Sequence, residues 1–183
     1  MSRNVKGSLF ADYVRMIRAR KDVKWERHLP PEDLAHVLRH VDLVGWYPME
    51  TFERLGNAIL AEIANGDLRL VRLWGRLSAS PLAELHPTLV SAADPVETLM
   101  RFKVLRASFF DFEALEIPML IQGEAQVVIR YHMGPTAEEA ASYQTVGFCE
   151  GLLSLADASE VEAEFAQRSW AGDPRTLVFL RWR

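Results

Sequence analysis

The fold is decided by FFDFEALEIPMLIQGEAQVVIRYHM (residues 109–133), PTAEEAASYQTVGFCEGLLSLA (135–156), EVEAEFAQRSW (160–170) and RTLVFLRW (175–182). The first stretch is rich in apolar residues and is broken at Gln122-Gly123, which predicts two strands joined by a short turn. The second predicts one helix from Pro135 to about Ala156. The last two are β-like runs joined by a turn that contains Gly172 and Pro174. This order predicts a ββαββ unit, in which one long helix bridges two antiparallel hairpins.

Side-chain alternation supports these strands. Val127, Ile129 and Tyr131 alternate with more polar neighbours, and Phe165 lies in a run whose other face carries glutamates. Such alternation is typical of a strand buried on one face. The run 177–180 is apolar on both faces, which favours either a central strand covered on both sides or an edge strand used for dimerisation.

The first two-thirds of the chain predicts helices separated by glycine or proline. Ser8 is expected to cap the first helix, and Pro30-Pro31 to begin a second helix with Leu38 facing inward. Further helices are expected at about 49–64, 68–78 and 81–92, and from Asp94-Pro95 onward. We therefore predict one α+β domain spanning residues 1–183. N-terminal helices (about 8–108) pack on a small antiparallel sheet formed by the C-terminal ββαββ unit (about 109–183).

Composition excludes several classes of protein. The chain has 183 residues, nearly half of them apolar, which is enough for one core. The net charge of -4 argues against nucleic acid as a partner. No apolar run approaches the ~20 residues of a membrane span, and Met1–Gly7 lacks the apolar stretch of a secretory signal. A single cysteine, Cys149, fits a cytoplasmic protein.

Four short motifs carry a resemblance over nearly the whole chain. They are VKGSLF (5–10), GWYP (45–48), ADP (93–95) and GDP (172–174). In this order and spacing they resemble a myxobacterial protein family of unknown function with many paralogues. The layout of that family is similar to the superfamily of haem-nitric-oxide-binding domains, 4-vinyl-reductase-type domains and Golgi transport-particle subunits. The resemblance implies a ligand-binding or scaffolding module that is commonly dimeric.

Haem binding in that superfamily requires a proximal histidine on a helix and a Tyr-x-Ser-x-Arg motif that holds the propionates. The chain contains no Tyr-x-Ser-x-Arg sequence. His86 is the one histidine expected on a helix shortly before the sheet, and the following Pro87 makes it an awkward axial ligand. We therefore predict no cofactor.

Metal and thiol chemistry are also disfavoured. His36 and His40 have a spacing that could place two imidazoles on one metal ion, but no third ligand is identifiable, so no metal site is predicted. Cys149 has no cationic neighbour in sequence, and Glu150 beside it would raise its pKa. A buried structural thiol is therefore expected, although the helix that carries Cys149 could line a cavity.

Two pairs of residues admit both a structural and a functional interpretation. Gly147 and Gly151 share one helical face, which favours close packing of the helix on the sheet and leaves open a pocket in the gap. Trp46 and Tyr47 either staple the second helix to the third or anchor a partner.

A further pair, Arg130 and His132, could hold an anionic ligand or pair with the glutamates of a neighbouring strand. The motifs typical of nucleotide binding, hydrolases and zinc sites are absent from the sequence.

Three functions follow from these observations. The first is a non-catalytic cytoplasmic sensor or scaffold that binds a small apolar or amphipathic ligand between helices and sheet. The alternative is a protein-interaction module, dimerising through helices or the last strand, with no ligand. An enzyme of unrecognised type is third, so no catalytic residues are assigned. A homodimer is expected, and other protein partners are conceivable. The predicted ligand-binding residues are Trp74, Phe102, Tyr131, Tyr143, Gly147 and Cys149.

Overall fold

The computed structural model describes residues 3–183. Met1 and Ser2, part of the segment that argued against a secretory signal, lie outside it. The described chain forms two compact units. Unit 1 runs to Asp67 and also includes Ala107–Phe112, and unit 2 consists of Leu68–Arg106 and Glu113–Arg183. The single-domain interpretation stays a prediction.

The elements follow one another as a mainly helical first part and a ββαββ second part. In chain order they are β1 (Asn4–Lys6), α1 (Gly7–Ala19), α2 (Pro31–Leu38), β2 (Trp46–Pro48), α3 (Met49–Glu62), α4 (Leu68–Leu85), α5 (Pro95–Leu105), β3 (Leu115–Ile121), β4 (Glu124–Ile129), α6 (Pro135–Leu155), β5 (Glu162–Gln167) and β6 (Thr176–Arg181).

Unit 1 contains a short antiparallel pair that the sequence did not predict. β1 and β2 pair with Val5 opposite Tyr47. The Tyr47 ring stacks on Phe10 of α1 with centroids 4.3 Å apart, whereas Trp46 is 45% exposed and lies beneath the ammonium group of Lys6. Of these two aromatic residues, only Tyr47 therefore packs against a helix as expected, and its main contact is with α1.

The helix boundaries in unit 1 differ in detail from the expectation. α1 begins at Gly7, with Lys6 rather than Ser8 at the capping position. In α2, Leu38 is 83% exposed instead of facing inward. The buried residues of that helix are Val37 and Asp33, and the Asp33 carboxylate accepts two hydrogen bonds from Arg54. A buried carboxylate thus replaces part of the predicted apolar stripe, and the partly exposed Arg54 supplies the partner that this carboxylate needs.

Unit 2 contains the predicted ββαββ unit. Its four strands form one antiparallel sheet in the order β3-β4-β6-β5. Val127 of β4 and Phe165 of β5 both pair with Val178 of β6, so the two hairpins join through β4 and β6. The turn between β3 and β4 contains Gly123 with φ of 80°, a conformation that favours glycine. The predicted α+β class and the C-terminal architecture are confirmed.

The position of β6 decides between the two interpretations of the run 177–180. β6 is hydrogen-bonded on both sides, and its Leu177, Val178 and Leu180 are buried. It is therefore a central strand, and the alternative of an edge strand used for dimerisation is wrong. β5 forms the edge and alternates as predicted, with Glu162 and Glu164 exposed.

α4 corrects the prediction of two helices in this region. The helix continues through Pro81 as far as Leu85. The proline side chain lies on the exposed surface, where water can bond the carbonyl that loses its partner. The buried face of α4 is formed by Val71, Gly75 and Ala79, whereas Leu77 is 62% exposed.

The remaining helices of unit 2 begin as predicted. The Asp94 side chain accepts a hydrogen bond from the backbone N–H of Glu97 at 2.9 Å and so caps α5. α6 is 21 residues long, and more than half of its residues are buried, which makes it the central helix of unit 2. Among the described residues, no helix is long and apolar enough to cross a membrane.

Candidate ligand-binding site

The six residues predicted to bind a ligand all lie in unit 2, but they fall into separate neighbourhoods. Phe102 of α5 is buried and contacts Phe148 of α6 with ring centroids 5.0 Å apart. Cys149, the next residue of α6, is also buried. Burial, reinforced by the charge of Glu150, raises the pKa of the Cys149 thiol to about 12. The sulfur is therefore protonated at neutral pH and does not act as a thiolate nucleophile.

Tyr131 lies just beyond β4, and both its side-chain hydroxyl and its backbone N–H are hydrogen-bonded to residues of α6. Its hydroxyl is 2.6 Å from the hydroxyl of Thr145 in α6. Because Thr145 donates its own proton to the carbonyl of Ala141, Tyr131 is the donor in this pair. The backbone N–H groups of Tyr131 and Met133 donate to the two oxygens of the buried Glu138 carboxylate at 3.0 and 2.9 Å. Glu138 thereby fixes the path of the chain between β4 and α6.

Tyr143 of α6 belongs to an aromatic cluster that also contains Phe165 and Trp170. Its ring contacts Phe165 of β5 with centroids 5.0 Å apart and Trp170 with centroids 6.4 Å apart. Phe165 and Trp170 also meet edge to face at 5.2 Å. The cluster fastens α6 to the β5–β6 hairpin through three rings.

Gly147 serves a helix–helix contact that we call the glycine contact, formed by Gly75 of α4 with Gly147 and Gly151 of α6. A Cβ atom at Gly147 would overlap the carbonyl oxygen of Arg72, and one at Gly75 would overlap that of Gln144. The expected packing of α6 on the sheet is thus corrected, because the close partner is α4. The gap left by the missing side chains is filled by α4 backbone, so the pocket interpretation of the glycine pair is wrong. Trp74, beside Gly75, is half-buried.

An ion cluster of Arg72, Arg76 and Glu150 flanks the glycine contact. Both arginines of α4 donate to the buried carboxylate of Glu150 in α6, Arg76 at 2.8 Å. Burial tends to raise the pKa of Glu150, but the hydrogen bonds from Arg72 and Arg76 outweigh it and the pKa is lowered. The carboxylate therefore remains ionised and ties the two helices together where their backbones touch.

A cleft lies between the end of the sheet and the first turn of α6, and we call it the β4 cleft. Its volume is about 150 Å³. Its apolar surface includes Met133 and Trp170, and its cationic side chains are Arg130 and Arg175. The residues that line it are Ile129, Arg130, His132, Met133, Pro135, Glu138, Ser169, Trp170, Pro174 and Arg175.

The two arginines of the β4 cleft keep donors available. Arg130 is paired with Glu116 of β3 through one terminal nitrogen, and Arg175 donates from Nε to Gln167 at 2.9 Å. A guanidinium has five N–H donors, so each arginine retains several. Ser169 bonds Thr176 through their hydroxyls at 2.8 Å and so holds the turn that presents Trp170. The arrangement can bind a carboxylate beside an apolar group.

A second, more open cleft of about 370 Å³ lies along the edge strand β5. It is lined by Arg72, Val161, Glu162, Ala163, Glu164, Phe179 and Arg181. Arg181 and Glu164 approach to 3.7 Å. Because its charged side chains are of both signs and mostly exposed, this cleft lacks the enclosed apolar surface expected of a small-molecule site.

None of the six predicted residues lines either of these two clefts. Their assignment to a ligand site therefore stays a prediction, although Tyr131 and Tyr143 each contact or adjoin a residue of the β4 cleft. The sequence reasoning missed Trp170 and Arg175. Antiparallel pairing of Ile129 with Thr176 brings Arg130 close to Arg175, so this cleft depends on the pairing of β4 with β6, which the sequence did not predict.

The histidine pair considered for metal binding lies in unit 1. His36 of α2 meets the rings of Phe10 and Tyr47 edge to face, with centroids 5.7 Å away in each case. His40 lies beyond the end of α2 and is exposed. In the described part of the chain, no group of three or more histidine, cysteine or acidic residues is arranged to hold a metal ion.

The fold is that of haem-nitric-oxide-binding (H-NOX) domains. Similar solved structures include a mutant H-NOX of T. tengcongensis, with 14% identity over 97% of each chain and a TM-score of 0.62. A mutant H-NOX protein from S. oneidensis in the Fe(II) state has 12% identity over 97% of this chain and 96% of that one, with a TM-score of 0.65.

An oxygen-binding H-NOX domain related to soluble guanylate cyclases has 15% identity over 97% and 95% of the two chains, with a TM-score of 0.60. The chain matches no protein-family model, and no curated protein is significantly similar to it. Identities this low show a shared fold and nothing further.

Haem does not fit the residues present in this chain. Tyr131 is followed by Met133 and Pro135 where a Tyr-x-Ser-x-Arg sequence would carry serine and arginine, and its hydroxyl is bonded to Thr145. His86 lies one residue past the end of α4. Within residues 3–183, the only histidine inside an α-helix is His36, which is surrounded by aromatic rings in unit 1.

Proposed function

We propose that the protein is a non-catalytic, cytoplasmic sensor or scaffold module that binds a small amphipathic ligand in the β4 cleft without haem and acts as a homodimer. The single observation that carries the ligand proposal is the pairing of Trp170 and Met133 with Arg130 and Arg175 around one cleft. The cleft lies between α6 and the sheet, and this location supports the proposal.

The cleft favours a short carboxylate. Its volume of about 150 Å³ is below the ~300 Å³ at which pockets for drug-sized ligands begin, so it suits a short chain or the end of a longer one. Arginine binds carboxylates in a bidentate manner, and an indole ring adds apolar contact area with a polar edge. A ligand with one carboxylate and a short aliphatic chain can bind the arginines through its carboxylate and contact Trp170 and Met133 through its chain.

Hexanoate is the probe that tests this proposal. Titration of the full chain, followed by backbone amide NMR shifts, should move resonances of residues 129–138 and 169–175, and neutral 1-hexanol should bind more weakly. Arg175→Gln and Trp170→Ala should each weaken hexanoate binding by about tenfold, the loss expected for one charge-assisted hydrogen bond or one aromatic contact. Arg181→Gln, on the outer face of the sheet, is the matched control and should bind normally.

Two results would contradict the ligand proposal. One is the absence of hexanoate-dependent shifts at the β4 cleft. The other is equal affinity in the wild type and in the Arg175→Gln and Trp170→Ala variants, which would place binding elsewhere. Native mass spectrometry of the purified protein would additionally reveal a ligand retained from the cell.

The second candidate is a protein-interaction module that has no small-molecule ligand. The observation in its favour is a row of exposed leucines on α4, described below. We also retain membership of the myxobacterial family with many paralogues as part of the proposal, supported by the order of the four sequence motifs. An enzyme ranks third, because the sequence contains none of the common catalytic motifs.

A further inference from the structure

α4 carries a second apolar face that no part of unit 2 covers. Leu73, Leu77 and Leu85 are 46%, 62% and 73% exposed, and Pro81 between them is exposed as well. These four residues are spaced by four along the helix and therefore lie on one side of it. We call them the leucine stripe. The opposite side of α4 is the buried face that contains Gly75 and packs against α6.

An exposed row of this kind is unusual. Single exposed leucines are common on protein surfaces, whereas a contiguous row marks a binding surface. Leu70 and Trp74, which flank the row, are half-buried and widen the apolar surface. The only exposed charged residue on this side of the C-terminal half of α4 is Glu84, and Arg69 borders the N-terminal end.

We infer that the leucine stripe is the interface through which two copies of this chain pair, with their α4 helices antiparallel about a two-fold axis at Leu77. The inference rests on the homodimer part of the proposed function and is independent of the ligand part. In a two-fold interface, residue i of one copy meets residue j of the other, and j meets i. With the axis at Leu77, Leu73 meets Pro81 and Leu77 meets its own copy.

The charges near the two ends of α4 favour pairing with a second copy of the chain, with the two helices antiparallel. Arg69 and Glu84 lie near opposite ends of α4, and the antiparallel arrangement brings Arg69 of each copy beside Glu84 of the other. A parallel arrangement would instead place like charges opposite each other, which is unfavourable. The surface is thus complementary to itself in one direction only.

Contact along one helix is at the small end of the range for stable interfaces, for which ~800 Å² per partner is standard. We therefore expect a weak dimer whose population rises with concentration in the micromolar range. Leu77 meets its own copy at the centre of the interface, so its replacement has the largest effect.

Sedimentation equilibrium of the full chain across the micromolar range tests the inference. Leu77→Glu should raise the dimer dissociation constant by at least about tenfold. Val104→Glu on α5 is the matched control, since Val104 is 77% exposed and lies outside the stripe; it should leave the constant unchanged. At concentrations well below the dimer dissociation constant, both variants should retain the thermal unfolding midpoint of the wild type, because both sites are exposed in the monomer.

A charge exchange tests the direction of the helices. Arg69→Glu and Glu84→Arg should each weaken the dimer, and the double variant should restore it, because the opposite charges still meet in the antiparallel arrangement. A wild type that is monomeric throughout, or a dimer that Leu77→Glu leaves intact, would overturn the inference. Dimerisation with no rescue by the double variant would overturn the antiparallel arrangement. Hexanoate binding is measured separately, so loss of one property does not imply loss of the other.

Discussion

Gly147 of α6 lies directly against the backbone of Arg72 in α4, so that a side-chain carbon at Gly147 would overlap the Arg72 carbonyl oxygen and come within 3.0 Å of the Arg76 nitrogen. Both neighbours are backbone atoms of a helix and cannot rotate away. The two helices therefore pack closely because α6 has glycine at this position. A glycine in the middle of a helix costs about 1 kcal/mol relative to alanine, and this contact explains why it is tolerated.

Gly147→Ala should consequently destabilise the protein. Alanine improves helix propensity, but separating two packed helices costs about 1–3 kcal/mol in overpacking, and we expect the free energy of unfolding to fall. Urea denaturation measures the change. Gly56→Ala in α3 is the control, because the nearest atom to its Cβ would be a side-chain carbon of Tyr13 at 3.2 Å rather than a backbone atom. Equal or greater stability of Gly147→Ala would refute the role given to the glycine contact.

Glu150 should make stability dependent on pH. Its pKa in the folded protein is below the ordinary value of 4.5, because the bonds from Arg72 and Arg76 outweigh burial. The unfolded chain therefore binds the proton more readily. The stability that the carboxylate contributes is fully present above about pH 4.5 and is lost as pH falls from there through the folded pKa.

Glu150→Gln should cost about 1–3 kcal/mol at neutral pH, since two arginines lose a charged acceptor. The difference in unfolding free energy between wild type and Glu150→Gln should shrink as the pH is lowered below 4.5. Glu162→Gln, at an exposed position, is the control and should match the wild type. A difference that stays constant with pH would show that Glu150 does not act through its ionisation.

Cys149 should react with thiol reagents only when the protein unfolds. The residue is 1% exposed and its pKa is raised to about 12, so both access and thiolate are lacking at neutral pH. We expect the rate of labelling by a disulfide reagent to follow the unfolding transition in urea. Rapid labelling under native conditions would mean that α6 opens locally, contrary to its position at the centre of unit 2.

Haem should not bind stoichiometrically. Titration of the purified protein with haemin should give no sharp Soret band, and the spectra of His86→Ala and His132→Ala should be the same as that of the wild type. A one-to-one complex whose Soret band disappears in His86→Ala would contradict this prediction. It would also show that the residue after α4 serves as an axial ligand despite Pro87.

The sequence predicted the ββαββ unit because strands and helices differ in the period of their side chains and because Gln122-Gly123 and Gly172-Asp173-Pro174 mark the turns. These signals are local, so α6 spans Pro135–Leu155 as expected, whereas β3 begins only at Leu115, after the expected start of the first hairpin at Phe109. Helix α5 was equally predictable from Asp94-Pro95, where one residue caps the helix and the next begins it.

Only the tertiary structure decided which surfaces meet. Gly147 and Gly151 signal a close approach, but the sequence does not say whether a helix or a sheet approaches, and it is α4 that does so. Pro81 ordinarily breaks a helix, yet α4 continues because the ring lies on the exposed side, a fact set by the packing of the opposite side. Likewise, Trp170 and Arg175 form a cleft with Arg130 through strand pairing across more than forty residues. Local pattern therefore determined the elements, and long-range packing determined the site.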